Sequence, residues 1–432
     1  MPNGCRGCGP SASSRSSTRA GRTPAFMWHG LSETRPMISE LVDGLTIFLR
    51  LKPRELPPGK AKPAAARYFF LLVVLAWCGQ RATAQITTFQ WYDLRKYGIE
   101  GKGWTDTKAY YDRLPASAEK MVREKVWTLS RQSSGMCFRF ITDAESIGAR
   151  WNLINAELST VHMPSTGVSG LDLYVKEGTR WRWLGFGRAG RVGENMRLLT
   201  NGKLRPGRRE YLLYLPLYNG VSKVEIGLPP TAEFLPAPDY PAGTKPIVFY
   251  GTSITQGGVA SRPGMAYPSI LGRGLGLPIV NLGFSGNGQA EPEMAALLAE
   301  LDPAVYVLDP LPNLSPKQVT ERMPVLVQTL RRAHPQTPIV LVESILYVDG
   351  PYVEEGRGRR CRESNAALAA LYEGLKADGD DRVLYIKAQD LLGEDGEDTV
   401  DGTHPTDLGF FRMAKGMEPT LRAALRLAGA GR

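Results

Sequence analysis

Residues 247–257 read "IVFYGTSITQG": four apolar residues, Ile247-Val248-Phe249-Tyr250, run into the turn Gly251-Thr252-Ser253. A short apolar run closed by small residues reads as a strand buried on both faces, the kind a parallel sheet contains. A turn of this type ends a strand and opens a helix. Ser253 in it is then either a reactive hydroxyl or a helix N-cap. A lone serine activates nothing, so the rest of the chain has to decide.

Downstream, the pattern repeats. Apolar strands at 247–250, 279–282, 304–308, 338–342 and 383–386 alternate with helical stretches at 290–300, 317–333, 361–377 and 407–427. Strand–helix alternation predicts a mostly parallel sheet with helices on both faces. Sites in such sheets form at the carboxyl ends of the strands. Ser253, the segment "GFSGNG" (283–288), Asn313 and Glu343 all fall there. Glu343 reads equally well as a cleft residue and as the cap of the next turn.

Upstream, from 86 to 227, the period is that of strands. "MCFRFIT" (136–142), "LDLYVK" (171–176), "TRWRWLGFG" (179–187) and "REYLLYLPLY" (209–218) mix aromatic and β-branched residues with polar ones, with turn signals at Asn201-Gly202 and Asn219-Gly220. Many short strands between such turns predict a β-sandwich. Residues 227–246 hold six prolines, the composition of an extended linker. The expected organisation is a leader at 1–84, a β-sandwich at 86–227, a Pro-rich linker at 228–246 and an α/β domain at 247–432.

The chain of 432 residues is 43% hydrophobic and 22% charged, as soluble globular proteins are. Its net charge of +10 does not point to nucleic acid. Residues 1–84 hold 12 Lys/Arg against 4 Asp/Glu, a net of +8, which leaves +2 for the rest. The leader carries Lys60, Lys62 and Arg67, then an apolar run from Tyr68 to Cys78, then Ala82-Thr83-Ala84 before Gln85. These are the basic, apolar and small-residue parts of a secretory signal peptide, cleaved near 84/85. The run of about 11 residues is short of the ~20 that span a bilayer. The mature chain is therefore expected outside the cytoplasm, periplasmic or extracellular, with no stable membrane span. Residues 1–58 read as an upstream extension, with Met37 a later start. Cys5 and Cys8 form a C-x-x-C without partners for zinc. Cys137 and Cys361 remain after cleavage, as a pair or as two buried thiols.

A serine nucleophile needs a base, a group that orients the base, and donors for the oxyanion. There are four histidines. His29 lies in the leader, His162 in the β-rich region, and His334 in a turn between helix and strand. His404 stands in "DGTHPTDLGF" (401–410), three residues after Asp401. In a tight loop that spacing lets a carboxylate reach the imidazole nitrogen that faces away from a serine; by itself the segment reads as well as a turn with an N-cap. The free N–H at Ser253, the backbone of Gly286 and the side-chain amide of Asn313 are candidate oxyanion donors.

Taken together these blocks resemble the SGNH (GDSL-type) hydrolase superfamily over about 245–427. The matching segments are Gly251-Thr252-Ser253-Ile254-Thr255, Asn281-Leu282-Gly283-Phe284-Ser285-Gly286, Asn313 and Asp401-Gly402-Thr403-His404-Pro405. The resemblance implies a flavodoxin-like three-layer fold, with Ser253 as nucleophile, His404 as base, Asp401 as its partner, and Gly286 and Asn313 as oxyanion donors. The family's G-x-N-D block reads here Leu311-Pro312-Asn313-Leu314. "WTLSRQSSGMCFRFITDA" (127–144) and "GLDLYVK" (170–176) are similar to the β-rich domain, jelly-roll-like, that precedes one secreted group of these enzymes. That group implies acetylesterase-type activity on carbohydrate.

The expectation is thus a secreted serine esterase acting on a small-molecule or glycan ester, with no metal, no organic cofactor and no nucleic-acid partner. No P-loop is present, and Thr255 stands where the lipase elbow has its second glycine. Two rivals remain: an acyltransferase using the same residues, and a non-catalytic carbohydrate-binding protein. For the latter, Trp181, Trp183, Tyr211 and Tyr214 would be a sugar-stacking face, against their reading as core.

Overall fold

A computed structural model describes residues 88–353 and 355–430. The expected signal peptide and its cleavage site lie outside the described residues.

The first part is built from β1 (Gln90–Asp93), α1 (Glu124–Ser130), β2 (Cys137–Thr142), β3 (Gly148–Leu153), α2 (Ser165–Val168), β4 (Leu171–Glu177), β5 (Arg180–Gly187), β6 (Gly193–Leu198), β7 (Arg209–Tyr214), β8 (Val221–Leu228) and β9 (Leu235–Pro236). They form two antiparallel sheets, ordered β1-β8-β3-β6 and β5-β4-β7-β2-β9. Phe138, Phe140, Leu173, Tyr211 and Leu213 of the second sheet share one core with Ala149, Trp151, Val224 and Ile226 of the first. Leu212 and Tyr214 point the other way and join Cys137 and Tyr174. This second sheet is covered on both faces, which is why "YLLY" is apolar at every position instead of alternating.

Two segments differ from the strand-and-linker reading. Trp127–Ser130 is helical, within α1, because burying Val126, Trp127 and Ser130 together requires a helical spacing. The Pro-rich stretch 228–246 is not free of the sheet. Leu235–Pro236 pairs with Ile141 and Phe140 at the edge of β2, where a proline's missing N–H costs no ladder bond.

The second part follows the predicted alternation: β10 (Ile247–Gly251), α3 (Ser253–Gln256), α4 (Tyr267–Leu275), β11 (Ile279–Gly283), α5 (Pro292–Ala299), β12 (Val305–Asp309), α6 (Pro316–Ala333), β13 (Ile339–Val342), α7 (Arg357–Ala377), β14 (Val383–Ile386) and α8 (Asp407–Leu427). The sheet is parallel throughout and ordered β11-β10-β12-β13-β14. Val248, Tyr250, Leu282, Leu308 and Leu341 face α5, α6 and α7. Ile247, Phe249, Val305, Val307 and Val340 face α4 and α8. The result is a three-layer α/β arrangement of flavodoxin-like strand order, whose switch point lies where the chain reverses beside its first strand, β10.

Cys137 and Cys361 are both buried and unpaired, so the two-thiol reading holds. Among the described residues no helix is long and apolar enough to cross a membrane.

Candidate active site

The turn after β10 resolves the ambiguity of its serine. The N-cap of α3 is Thr252, whose Oγ1 accepts the Ile254 N–H at 3.2 Å, while Thr255 Oγ1 accepts the Thr252 N–H at 3.2 Å. With both capping roles filled by threonines, Ser253 is the first residue of the helix and its hydroxyl is free for another partner. Gly257 closes this single turn at φ 104°, a conformation that costs glycine nothing.

The cap is anchored from below. Asp309, at the end of β12 and 3% exposed, accepts hydrogen bonds from Tyr267 Oη at 2.9 Å and Thr255 Oγ1 at 3.1 Å. Burial pushes its carboxyl up to about 7, against the pull of those two donors.

Ser253 Oγ lies 2.9 Å from His404 Nε2, across 151 positions of sequence. On the far side of the ring, Nδ1 is 2.7 Å from Asp401 Oδ2. A carboxylate only accepts, so Nδ1 carries the proton, and Nε2 is left to accept from Ser253. Asp401 Oδ1 accepts the backbone N–H groups of Thr403 at 2.9 Å and His404 at 2.7 Å. Burial acts to raise the Asp401 carboxyl, but the N–H of His404, its ring and the Thr403 N–H together hold it at about 2. It stays a carboxylate at any pH near neutral. The loop is fixed by Val400 N–H donating to His404 O at 2.9 Å and by Arg357, which donates to Thr403 Oγ1 at 2.8 Å and Asp401 O at 3.1 Å.

The other two predicted residues follow the strands flanking β10. Gly286, in the loop after β11, takes φ 67°, and nothing stands within 4 Å of where a side chain would be. Asn313, in the 3-10 turn after β12, has a buried Nδ2 with no hydrogen-bond partner. Buried donors are nearly always paired, so this unpartnered amide stands out. Leu314, where the family has an aspartate, is fully buried in the core.

Glu343 does not cap the turn that follows it in sequence: its carboxylate reaches to β14 and the turn beyond it, accepting from Tyr385 Oη at 2.6 Å and the Ala388 N–H at 2.7 Å. His334, read as a solvated turn residue, is tied by Nε2 to Ala299 O at 2.8 Å. Tyr211 and Tyr214 are 1% and 4% exposed and belong to cores, whereas Trp183 is half-exposed. The four aromatics therefore do not make one stacking face.

Sequence reasoning missed what the β-rich part brings here. Tyr218 Oη donates to Ser253 O at 3.2 Å, and Thr166 Oγ1 to Ser261 O at 2.6 Å. His162, set aside as a residue of the β-rich region, has its ring 5.8 Å from that of His404. Asp172, fully buried in β4, accepts from Arg262 Nη1 at 2.8 Å, the Gly264 N–H at 2.8 Å and Trp183 Nε1 at 2.9 Å. Burial raises its carboxyl in spite of the Arg262 charge. The signal was present: a charge inside the apolar strand "LDLYV" has to be buried with a partner. From the segment so clamped, Ser261 binds Asp407 in the first turn of α8, just beyond the His404 loop, with its N–H 2.9 Å from Oδ1.

Comparison with known proteins bears on the family. The GDSL-like Lipase/Acylhydrolase family matches residues 244–422, and GxDLY, the N-terminus of SGNH hydrolase-type esterases, matches 89–234. A GDSL-like lipase of Bacteroides ovatus is 34% identical, with 78% of this chain and 98% of that one covered at a TM-score of 0.73. The salicylyl-acyltransferase of a tetracycline biosynthetic pathway is 19% identical over 78% of this chain and 97% of its own, at TM-score 0.62. An active-site mutant of a family two carbohydrate esterase from Clostridium thermocellum is 15% identical over 68% and 93%, at TM-score 0.50. At these identities the last two bear on the fold alone. None of the curated proteins matches the chain. Sharing 34% of its residues with the Bacteroides ovatus protein over nearly the whole of that chain, this protein belongs to the GDSL-like lipase/acylhydrolase family and is an ester-cleaving enzyme with a GxDLY N-terminal domain.

Proposed function

We propose that this is an exported serine esterase that removes small acyl groups, acetyl foremost, from carbohydrate. The observation that carries the reading is the unbroken chain Ser253 Oγ, His404, Asp401, with contacts of 2.9 and 2.7 Å. Ser253 attacks the ester carbonyl as His404 Nε2 takes its proton. Asp401 holds the ring in the required tautomer and stabilises the imidazolium. The N–H groups of Ser253 and Gly286 and the Asn313 amide receive the oxyanion. His404 then returns the proton to the leaving alcohol. Water, activated in turn by His404, releases the acid and restores Ser253.

Export is read from the leader's signal-peptide pattern, and the carbohydrate ester from the resemblance of the 127–144 and 170–176 segments to the N-terminal domain of one group of these enzymes. The two antiparallel sheets around one core are read as a jelly-roll-like sandwich. Its loops carry Tyr218 and His162 to the serine, so it serves as a wall of the site and not as a detached module.

Acetate release from a panel of acetylated glycans and short-chain p-nitrophenyl esters tests the reading, wild type against Ser253→Ala. The expected result is hydrolysis of acetyl esters that Ser253→Ala abolishes. Equal rates for the two proteins would overturn it.

A further inference from the structure

We infer that His162, Asp401 and His404 form a binding site for a borderline transition-metal cation such as Zn²⁺, and that metal bound there switches the esterase off. The effect on activity rests on the Ser253–His404–Asp401 reading; the binding does not. One ligand atom from each residue lies within 4.8 Å of the others. His162 Nε2 stands 3.9 Å from Asp401 Oδ2, beyond hydrogen-bond distance. The two imidazole rings meet edge to face at 71°.

The donor set fits this class of ion. Two imidazoles and one carboxylate, with a further position open to water, is a combination that Zn²⁺ accepts, whereas Mg²⁺ and Ca²⁺ prefer oxygen donors throughout. Ligand atoms about 2.0–2.2 Å from a tetrahedral ion sit roughly 3.3 Å apart. His162 Nε2, 3.9 Å from Asp401 Oδ2, must therefore move in, while His404 Nδ1 and Asp401 Oδ2, 2.7 Å apart, must open slightly. His162 is the partner that can move: its side chain is 40% exposed, whereas the Asp401 carboxylate is held by the Thr403 and His404 N–H groups. Met163, the residue beside His162, is buried against the α/β part and holds that backbone at the site.

The inhibition follows from proton bookkeeping. In the active arrangement the neutral ring of His404 carries its proton on Nδ1 and accepts from Ser253 at Nε2. A cation held beside Asp401 takes the Nδ1 lone pair. The ring's single proton must then sit on Nε2, which becomes a donor to Ser253 Oγ and can no longer remove its proton. No net proton is lost and no bond in substrate is touched; the base is blocked.

The test uses the full chain with ZnCl₂ and CoCl₂ as probes. Calorimetry of the wild type should give one Zn²⁺ per chain, and Co²⁺ should develop the visible absorption of a low-coordinate site. Ser253→Ala should retain both. His162→Ala and His162→Gln should weaken binding by at least about tenfold, the loss that removing even an outer-shell partner produces. In p-nitrophenyl acetate hydrolysis, Zn²⁺ should inhibit wild type and a chelator should restore it. Mg²⁺ should do nothing. Each His162 variant, measured against its own metal-free rate, should need at least about ten times more Zn²⁺. Absence of one-to-one binding in the wild type, or equal Zn²⁺ sensitivity in the His162 variants, overturns the site. If the protein hydrolyses no ester, calorimetry still decides the binding, and only the esterase reading fails.

Discussion

Asp172 and Arg262 meet at 2.8 Å, with the carboxylate fully buried and the guanidinium side chain 22% exposed. They join the GxDLY strand of the N-terminal part to the segment that follows the serine helix. Removing the carboxylate leaves Arg262, the Gly264 N–H and the Trp183 indole without their common acceptor. Asp172→Ala is expected to cost about 3 kcal/mol, as breaking a buried ion pair does. Denaturant unfolding measures it; a loss under 1 kcal/mol would show that the clamp contributes little.

Asp401→Asn keeps the shape of the loop but replaces an acceptor that demands Nδ1–H with an amide that tolerates the other tautomer. Turnover is expected to fall by on the order of 10³–10⁴, with KM little changed. Steady-state kinetics on a short-chain ester decides it. A change in KM alone would assign Asp401 to binding.

Asn313→Ala separates catalysis from folding. Loss of one oxyanion donor is expected to lower kcat by about 10²–10³. Because the Asn313 amide has no partner within the protein, its removal strands no group, and the unfolding midpoint should hold or rise. A variant that keeps its rate would take Asn313 out of the site.

Asp309 predicts a stability slope. Its carboxyl is raised to about 7 in the folded protein, whereas an exposed aspartate titrates near 3.9. Between those values the folded state binds the extra proton, so stability falls as pH rises. The contribution is complete below about pH 4 and gone above about pH 7, with a ceiling of roughly 4 kcal/mol. Asp309→Asn should flatten this part of the stability profile, read from urea midpoints across that range. An unchanged slope would show that another group is responsible.

Much of the fold was legible because its signals are local. The five parallel strands lie within a residue of their predicted bounds, since strands covered on both faces are apolar throughout. The short helices were harder. α3 spans four residues and α4 opens with Tyr267-Pro268, too little length for a helical period to show. The pairing of Pro236 with β2 was hidden because six prolines dominate the composition there.

The candidate site divides in the same way. Asp401 and His404 are three residues apart, so one turn allows their contact, and the spacing pointed to it once Ser253 was considered with them. The residues of the GxDLY part gave no such local signal. His162 lies 242 positions before His404, Asp172 lies 90 before Arg262, and Tyr218 lies 35 before Ser253. By itself the sequence determined the alternating strands and helices, the small-residue turn that carries Ser253 and the Asp-x-x-His loop; that Thr252, and not Ser253, caps the helix came from the structure. Hydrophobic period, capping and turn chemistry all act within a few residues. Only the tertiary structure decided that the β-rich part forms a wall of the serine site. That outcome depends on how two sets of buried surfaces close on each other, and no local rule along the chain encodes such a match.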